Sequence, residues 1–92
     1  ALDMARQTRG ALNPAIYPVL EAWGFTTDSK QVPSREEIDR LLENTDYTRI
    51  KLDGNMLTVP DGMEMDLGSV GKGYAADLVT ETLKDYGVES AI

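Results

Sequence analysis

Apolar residues at helical spacing predict two helices in the first part of the chain. A short helix over residues 1–9 would end at Gly10, a residue type that is common just after a helix. Asn13 would cap a second helix, Pro14 would lie in its first turn, and Gly24 would stop it. A polar connector follows this second helix.

Two further helices are predicted later in the chain. Ser34 and Glu37 form a capping box ahead of an apolar stripe, which indicates the start of a third helix. A longer helix is predicted over about residues 70–86, with Ser69 as its N-cap and Gly87 after its end. The face that this helix would turn inward carries Ala75, Val79, Leu83 and Tyr86.

A β-hairpin is predicted between the third and fourth helices. Asp53-Gly54 is a signal for a type I′ turn, and a two-residue loop there pairs Leu52 with Asn55. Alternation then puts Ile50, Leu52, Leu57 and Val59 on one face of the hairpin.

Short strands are also predicted over residues 63–67 and 88–92, on either side of the long helix. We therefore predict an α+β fold in which short helices accompany a mixed sheet, built from the hairpin and a strand-helix-strand unit.

Composition removes several classes of site. The chain has no cysteine and no histidine, so within it a disulfide, a zinc site with thiolate or imidazole ligands and a Ser-His-Asp triad are excluded. Its net charge of −7 argues against a nucleic acid as partner. No stretch approaches the ~20 apolar residues of a membrane span. Both ends fall within predicted elements, so we interpret residues 1–92 as a single fragment of a larger domain, truncated at both ends.

The segment over residues 66–74 is the richest candidate for chemistry, because it combines a strand, a glycine-rich bend and a helix start. Free N–H groups at a helix N-terminus and bare glycine backbone favour an anion, and Lys72 adds a positive charge. The spacing Gly68-x-x-Gly71-x-Gly73 matches neither a P-loop nor the Rossmann pattern. The alternative is a tight strand-to-helix turn without a ligand. The acidic residues just before the bend, Asp61, Glu64 and Asp66, are interpreted as a solvated face.

A second candidate cluster covers residues 10–14 and the aromatic residues after it, Tyr17, Trp23 and Phe25. Aromatic side chains beside a bend can stack on a planar ring, and an asparagine amide both donates and accepts hydrogen bonds. The alternative is that Trp23 and Phe25 belong to the core and that Asn13 serves only as an N-cap.

Both clusters resemble one family. The run GALNPAIYPV at residues 10–19, followed by WGF at 23–25, resembles the signature GAFDPTVxPL…WGF of the ApbE family. The run MDLGSVGKGYAAD at residues 65–77 is similar to the family block LDLGxIAKGYAxD. These are the FAD:protein FMN transferases, formerly called thiamine biosynthesis lipoproteins. Asn13 stands where the family usually has Asp, and Ala15 where it has Thr.

The resemblance implies that FAD is split at its pyrophosphate with Mg²⁺ and that FMN is joined as a phosphodiester to a threonine or serine of a target flavoprotein. It implies that Ala11, Leu12 and Asn13 line the FAD site, that Gly68 and Tyr74 also contact FAD, and that the backbone carbonyl of Gly71 is a Mg²⁺ ligand. For Lys72 we expect charge complementarity to the pyrophosphate.

The resemblance also implies further Mg²⁺ ligands and flavin contacts outside these residues, so we expect the fragment alone to be inactive; no catalytic base can be assigned within it. The alternative is a non-catalytic module that binds FAD or a nucleotide. The resemblance also implies an exported bacterial protein on the periplasmic or cell-surface side of the inner membrane. A lipid anchor outside these residues would hold it there, and its targets would be subunits of redox-driven ion pumps.

Overall fold

The computed structural model describes residues 1–92 and combines helices with one small sheet. This architecture confirms the predicted α+β class. None of the helices is both long enough and apolar enough to cross a bilayer. In chain order, the elements are α1 (Leu2–Gln7), α2 (Tyr17–Ala22), α3 (Arg35–Leu42), a 3₁₀ turn (Tyr47–Arg49), β1 (Lys51–Asp53), β2 (Met56–Thr58) and α4 (Gly68–Asp85).

Glycines end α2 and α4 as predicted. Gly24 has a φ of 73°, and the next residue, Phe25, donates its N–H to the Leu20 carbonyl at 3.0 Å. Gly87 ends α4 in the same way, with a φ of 79°. In this arrangement a left-handed residue turns the chain so that the last carbonyls of the helix find donors.

The end of α1 differs by one residue from the prediction. Its left-handed C′ position is Arg9, with a φ of 53°, and Gly10 follows with a φ of 83°. The N–H of Gly10 donates to the Ala5 carbonyl at 2.8 Å, the bond expected of the second residue after a helix. Gly10 is therefore one position beyond the residue that stops the helix.

The N-terminus of α2 also differs from the sequence prediction, whereas that of α3 agrees with it. Asn13 does not cap α2, which follows Ile16 without a side-chain cap. Instead, Asn13 Oδ1 accepts the N–H of Ala15 at 2.9 Å, in the local turn that asparagine favours. The start of α3 is as predicted, since Ser34 Oγ accepts the N–H of Glu37 at 3.2 Å.

The hairpin has the predicted two-residue loop, but its register is shifted. Leu52 pairs with Leu57 rather than with Asn55, so the loop is Gly54-Asn55. Gly54 has a φ of 56° and is the loop's single residue with positive φ. Positive φ at the first loop position alone is the pattern of a type II′ turn, which requires glycine there. The shift is two residues, and side chains alternate between faces at every residue, so Leu52 and Leu57 still share one face.

The mixed sheet is not formed. The sheet has two antiparallel strands, and residues 63–67 and 88–92 are not strands. A strand exists through hydrogen bonds to a neighbour, and no further strand lies beside either segment. The strand-helix-strand unit of the prediction therefore reduces to α4 alone.

The core is small and lies beside the turn that follows α1. Only 8 of 92 residues are buried, and the hydrophobic cluster consists of Ala15, Ile50 and Met63. The inward face predicted for α4 is not covered within the chain, since Val79 is 56 % and Tyr86 84 % exposed. The radius of gyration is 16.8 Å, against about 12 Å for a compact domain of this length. The chain is thus elongated, with α4 largely in solvent.

We expect Gly24→Ala to destabilise the protein far more than Gly54→Ala. A Cβ on Gly24 would lie 2.1 Å from the Ser29 carbonyl oxygen, whereas one on Gly54 would meet nothing within 4 Å. Both substitutions carry the backbone cost of a positive φ, about 1–3 kcal/mol. The clash should raise the loss at Gly24 to more than about 3 kcal/mol in urea unfolding. Equal losses for the two variants would contradict the structure.

A second prediction concerns Asp46, which caps the 3₁₀ turn. Its carboxylate accepts the Thr48 hydroxyl at 2.6 Å and the Thr48 N–H at 3.0 Å. These two bonds, the hydroxyl's first, hold the pKa of Asp46 below its ordinary value of 3.8. Because the folded-state pKa is the lower one, the stabilisation is present above about pH 4 and is lost as the pH falls through the folded-state pKa. In an NMR titration, Thr48→Val should move this pKa back toward 3.8, and Thr58→Val should leave it in place. An unchanged pKa in Thr48→Val would refute this cause.

Candidate functional site

One backbone hydrogen bond brings the two candidate clusters together. The N–H of Asp66 donates to the Pro14 carbonyl at 2.8 Å, across about fifty residues of sequence. Pro14 is fully buried, and its neighbour Ala15 is part of the core cluster. The turn after α1 and the start of α4 are therefore held side by side.

The side chain of Asp66 occupies the N-terminus of α4. Its Oδ1 accepts the N–H of Gly68 at 2.9 Å, while the N–H groups of Val70 and Gly71 donate to the Leu67 carbonyl. Of the first-turn donors, only the N–H of Ser69 is left without a partner. This arrangement corrects two expectations. The chain's own carboxylate takes the place where an anion was expected, and Asp66 is a half-buried cap rather than part of a solvated face.

The helix starts two residues earlier than predicted, with Leu67 at its N-cap position and the Asp66 carboxylate bonded to its first N–H. Gly68, not Val70, is its first residue, and Ser69 lies inside the first turn instead of capping it. A Cβ on Gly68 would lie 3.1 Å from Asp66 Oδ1, closer than most side chains tolerate. Glycine at this position thus lets the carboxylate approach the helix end.

A groove of about 620 Å³ runs between α1 and the first turns of α4. Met4 and Leu12 form part of one wall, and Val70 and Tyr74 form part of the other. A smaller groove of about 470 Å³ adjoins it and shares Leu12 and Ser69 with it. The larger volume lies within the ~300–1,000 Å³ of typical small-molecule sites.

The two grooves bring together five of the seven predicted site residues. Gly71 and Tyr74 line the larger groove, Ala11 and Asn13 line the smaller one, and Leu12 lines both. The other two predicted residues line neither groove: Gly68 lies beneath Asp66, and Lys72 is exposed on α4 without a salt-bridge partner.

Ten of the residues that line the two grooves are not among the predicted site residues, and three of them show why sequence reasoning missed them. Val70 lies one helical turn before Tyr74, so helical spacing from the predicted contact was a usable signal. Met4 gives no such signal, because only the fold places α1 opposite α4. Asp66 sits in the recognised block, but its half-buried position depends on the distant carbonyl of Pro14.

The groove combines apolar walls with bare backbone. Tyr74 is 67 % exposed and presents a ring that a planar group can stack against. Gly71 and Gly73 also line the groove, and an added Cβ on either would meet nothing within 4 Å. A flat aromatic ligand with a phosphate tail could therefore approach the backbone closely here.

The oxygen that the resemblance assigns to Mg²⁺ at this place is a backbone carbonyl, and the Asp77 carboxylate lines the same groove. The carbonyl of Gly71 lies inside α4, so it points along the helix axis toward the N–H four residues later, and a carbonyl oxygen keeps a second lone pair. Hard oxygen ligands suit Mg²⁺, which commonly completes its shell with water and substrate phosphates. The chain has no group of three or more His, Cys, Asp or Glu that could hold a metal by itself. The role of Gly71 as a ligand stays a prediction.

Comparison with known proteins places the chain in a family. The sequence pattern of the ApbE family matches residues 1–92. The chain belongs to the ApbE family. Among its relatives is the FAD:protein FMN transferase of Klebsiella pneumoniae, 35% identical over 95 residues, which cover 100% of this chain and 29% of that protein. The enzyme of the same name from Treponema pallidum is 29% identical over 100 residues, covering 100% of the chain and 28% of the relative.

Solved structures agree with this assignment. The flavinyl transferase ApbE of Pseudomonas stutzeri, in its apo form, superposes with a TM-score of 0.83 and 32% identity, over 96% of this chain and 29% of that one. The ApbE protein of Thermotoga maritima gives a TM-score of 0.77 and 43% identity, over 84% of this chain and 26% of its own. The chain thus spans less than a third of the length of these relatives.

We expect Asp66→Ala to loosen the first turn of α4, because it removes the acceptor of the Gly68 N–H. The loss in unfolding free energy should be about 1 kcal/mol, and Asp66→Asn, which keeps a side-chain oxygen, should lose much less. Amide hydrogen exchange at Gly68 measures the effect directly. Glu64→Ala, which removes an exposed carboxylate two residues earlier, is the control. Unchanged exchange at Gly68 in Asp66→Ala would rule out this cap.

Proposed function

We propose that this chain forms part of an FAD:protein FMN transferase and that its grooves hold part of the FAD. The observation that carries the proposal is the hydrogen bond between Asp66 and Pro14, which puts both family blocks beside the same groove. The names of the relatives support it, since those covering the same region are FAD:protein FMN transferases.

In the proposed reaction, a hydroxyl oxygen of a threonine or serine in the target flavoprotein forms a bond to the phosphorus of the FMN half of FAD. The bond between that phosphorus and the bridging pyrophosphate oxygen breaks, and AMP leaves with the oxygen. The proton of the hydroxyl is released to a base outside this chain. The products are a phosphodiester-linked FMN and AMP.

Within this scheme the chain's residues bind and orient the substrate. Leu12, Val70 and Tyr74 would hold a ring of FAD and keep water from it, while bare backbone at Gly71 gives the phosphates room. Lys72 lies outside the grooves, so its positive charge would act on the pyrophosphate at longer range. The Asp66 carboxylate would repel a phosphate from the very end of α4 and so favour a position nearer Gly71.

The dependence on Mg²⁺ is part of the proposal. The carbonyl of Gly71 would be one of its ligands, and the metal would neutralise charge that develops on the phosphates. The resemblance alone supports the remaining features: an exported, lipid-anchored bacterial protein whose targets are flavoprotein subunits of redox-driven ion pumps.

Gly71→Leu tests whether the groove binds FAD. Leucine favours a helix over glycine by roughly 0.5–1 kcal/mol, so α4 should not weaken, yet the side chain would project into the groove. We expect FAD affinity to fall about ten- to a hundredfold, because crowding a binding surface costs about 1–3 kcal/mol. The measurement is a flavin fluorescence titration of the full-length protein, with thermal unfolding recorded in parallel.

Ala76→Leu is the matched control, since Ala76 is exposed on the same helix and lines neither groove. Transfer is then assayed by incubating the wild-type protein with FAD, Mg²⁺ and a target flavoprotein and detecting covalent flavin fluorescence in a denaturing gel. Chelation of Mg²⁺ should abolish the signal. Unaltered FAD binding by Gly71→Leu would exclude the groove. Binding without transfer would favour the alternative of a non-catalytic FAD-binding module.

A further inference from the structure

The larger groove contains one charged side chain, the carboxylate of Asp77. Neither salt bridge of the chain involves it. The carboxylates that accept hydrogen bonds within the chain are those of other residues, namely Asp3, Asp39, Asp46 and Asp66. The Asp77 carboxylate is therefore exposed in the groove with its hydrogen-bonding capacity free for a ligand.

Helical geometry places Asp77 on the groove face of α4. Four groove residues follow the i, i+3, i+4, i+7 spacing of one helix face: Val70, Gly73, Tyr74 and Asp77. Side chains of a helix lean toward its N-terminus, so the Asp77 side chain leans over the turn that carries Gly73 and Tyr74. Gly73 has no side chain to fill that space, and an added Cβ there would meet nothing within 4 Å. The carboxylate therefore lies beside the surface on which a ring would stack against Tyr74.

A carboxylate in this position favours one kind of ring edge. When ionised it only accepts hydrogen bonds, so it pairs with an N–H donor and repels a phosphate or a ring carbonyl oxygen. Both rings of FAD carry such a donor at the edge: the imide N–H at N3 of the isoalloxazine and the amino group of the adenine. The facing wall, from Met4 and Leu12, offers no polar side chain that would compete for this donor.

We propose that Asp77 is a specificity-determining residue of the larger groove: its carboxylate accepts a hydrogen bond from an N–H at the edge of the ring that stacks on Tyr74. The assignment rests on the proposed function, because FAD is the ligand that supplies the ring. It also gives the ligand an orientation. The carboxylates of Asp66 and Asp77 repel phosphates from both ends of this stretch of α4, which leaves the backbone near Gly71 for them.

A double-mutant cycle between protein and ligand tests the proposal. Calorimetric titration, with no target flavoprotein present, compares the full-length wild-type protein with Asp77→Ala. The ligands are FAD and two analogues that each lack one donor, FAD methylated at N3 of the flavin and FAD with a dimethylated adenine amino group. We expect Asp77→Ala to bind FAD about tenfold more weakly than wild type, as for a hydrogen bond to a charged group.

The analogues identify the ring that Asp77 contacts. The wild-type protein should bind one of them about tenfold more weakly than FAD, whereas Asp77→Ala should bind that analogue and FAD equally well. Coupling to the flavin analogue would place the isoalloxazine on Tyr74, and coupling to the adenine analogue would place the adenine there.

Glu81→Ala is the matched control, since it removes a carboxylate from the same helix and Glu81 lines neither groove. Alanine favours a helix over aspartate, so Asp77→Ala should unfold at no lower temperature than the wild-type protein. A loss of affinity is then not a loss of fold. Asp77→Asn keeps the shape and an acceptor oxygen but not the charge, so we expect it to lose less affinity than Asp77→Ala.

The sign of the change in affinity separates this hydrogen bond from charge repulsion alone. If the Asp77 carboxylate only repelled the phosphates, its removal would tighten FAD binding, and Glu81→Ala would act in the same direction. Tighter or unchanged FAD binding by Asp77→Ala would overturn the inference and leave the proposed function in place, and so would an analogue penalty that persists in Asp77→Ala. Failure of the wild-type protein to bind FAD would overturn the proposed function, and this inference with it.

Discussion

The hydrogen bond from the Asp66 N–H to the Pro14 carbonyl is the contact on which the arrangement of the site depends. It is the only hydrogen bond that joins residues 63–92 to residues 1–59. Its acceptor belongs to a fully buried proline next to the core cluster, so the bond is shielded from competing water. Together with the packing of Met63 against Ala15 and Ile50, this bond holds the start of α4 against the turn after α1, so both family blocks face one groove.

The same aspartate also determines what kind of site the groove is. Its carboxylate satisfies the end of α4, which makes that end a poor seat for a second anion. The larger groove beside it is lined mostly by apolar side chains and glycine backbone, with Ser69 and Asp77 as its polar side chains. Recognition of a nucleotide here would begin with its ring system, and its phosphates would be placed by what lies around Gly71.

Local signals in the sequence predict local structure well. The Ser34 cap and the glycines after α2 and α4 act over a few residues, and the structure has them where they were predicted. The hairpin register was wrong because Asp53-Gly54 and Gly54-Asn55 are both acceptable two-residue loops, and alternation cannot separate registers that keep the same faces.

What the sequence does not predict depends on distant partners. From the sequence, the side chain of Asn13 could form either a helix cap or a local turn. The structure has the turn, together with a hydrogen bond to Thr45, 32 residues away. The two family blocks predict part of the groove from the sequence. The wall that α1 contributes is not predicted, because no local sequence pattern indicates which element α1 will pack opposite. The strands expected at residues 63–67 and 88–92 have no neighbour within the chain, and alternation alone cannot supply one.

Because α4 is held only at its N-terminal end, a change in its tilt is a rotation about Asp66. The helix is about 27 Å long, so a tilt of about 10° about Asp66 moves its far end by roughly 5 Å but moves Gly71 by only about 1 Å. The glycine-rich turns lie close to Asp66, so a change in the tilt of α4 changes their distance from Leu12 very little. The C-terminal part of α4 carries the exposed apolar side chains, and its tilt can change when another surface packs against it without disturbing the groove.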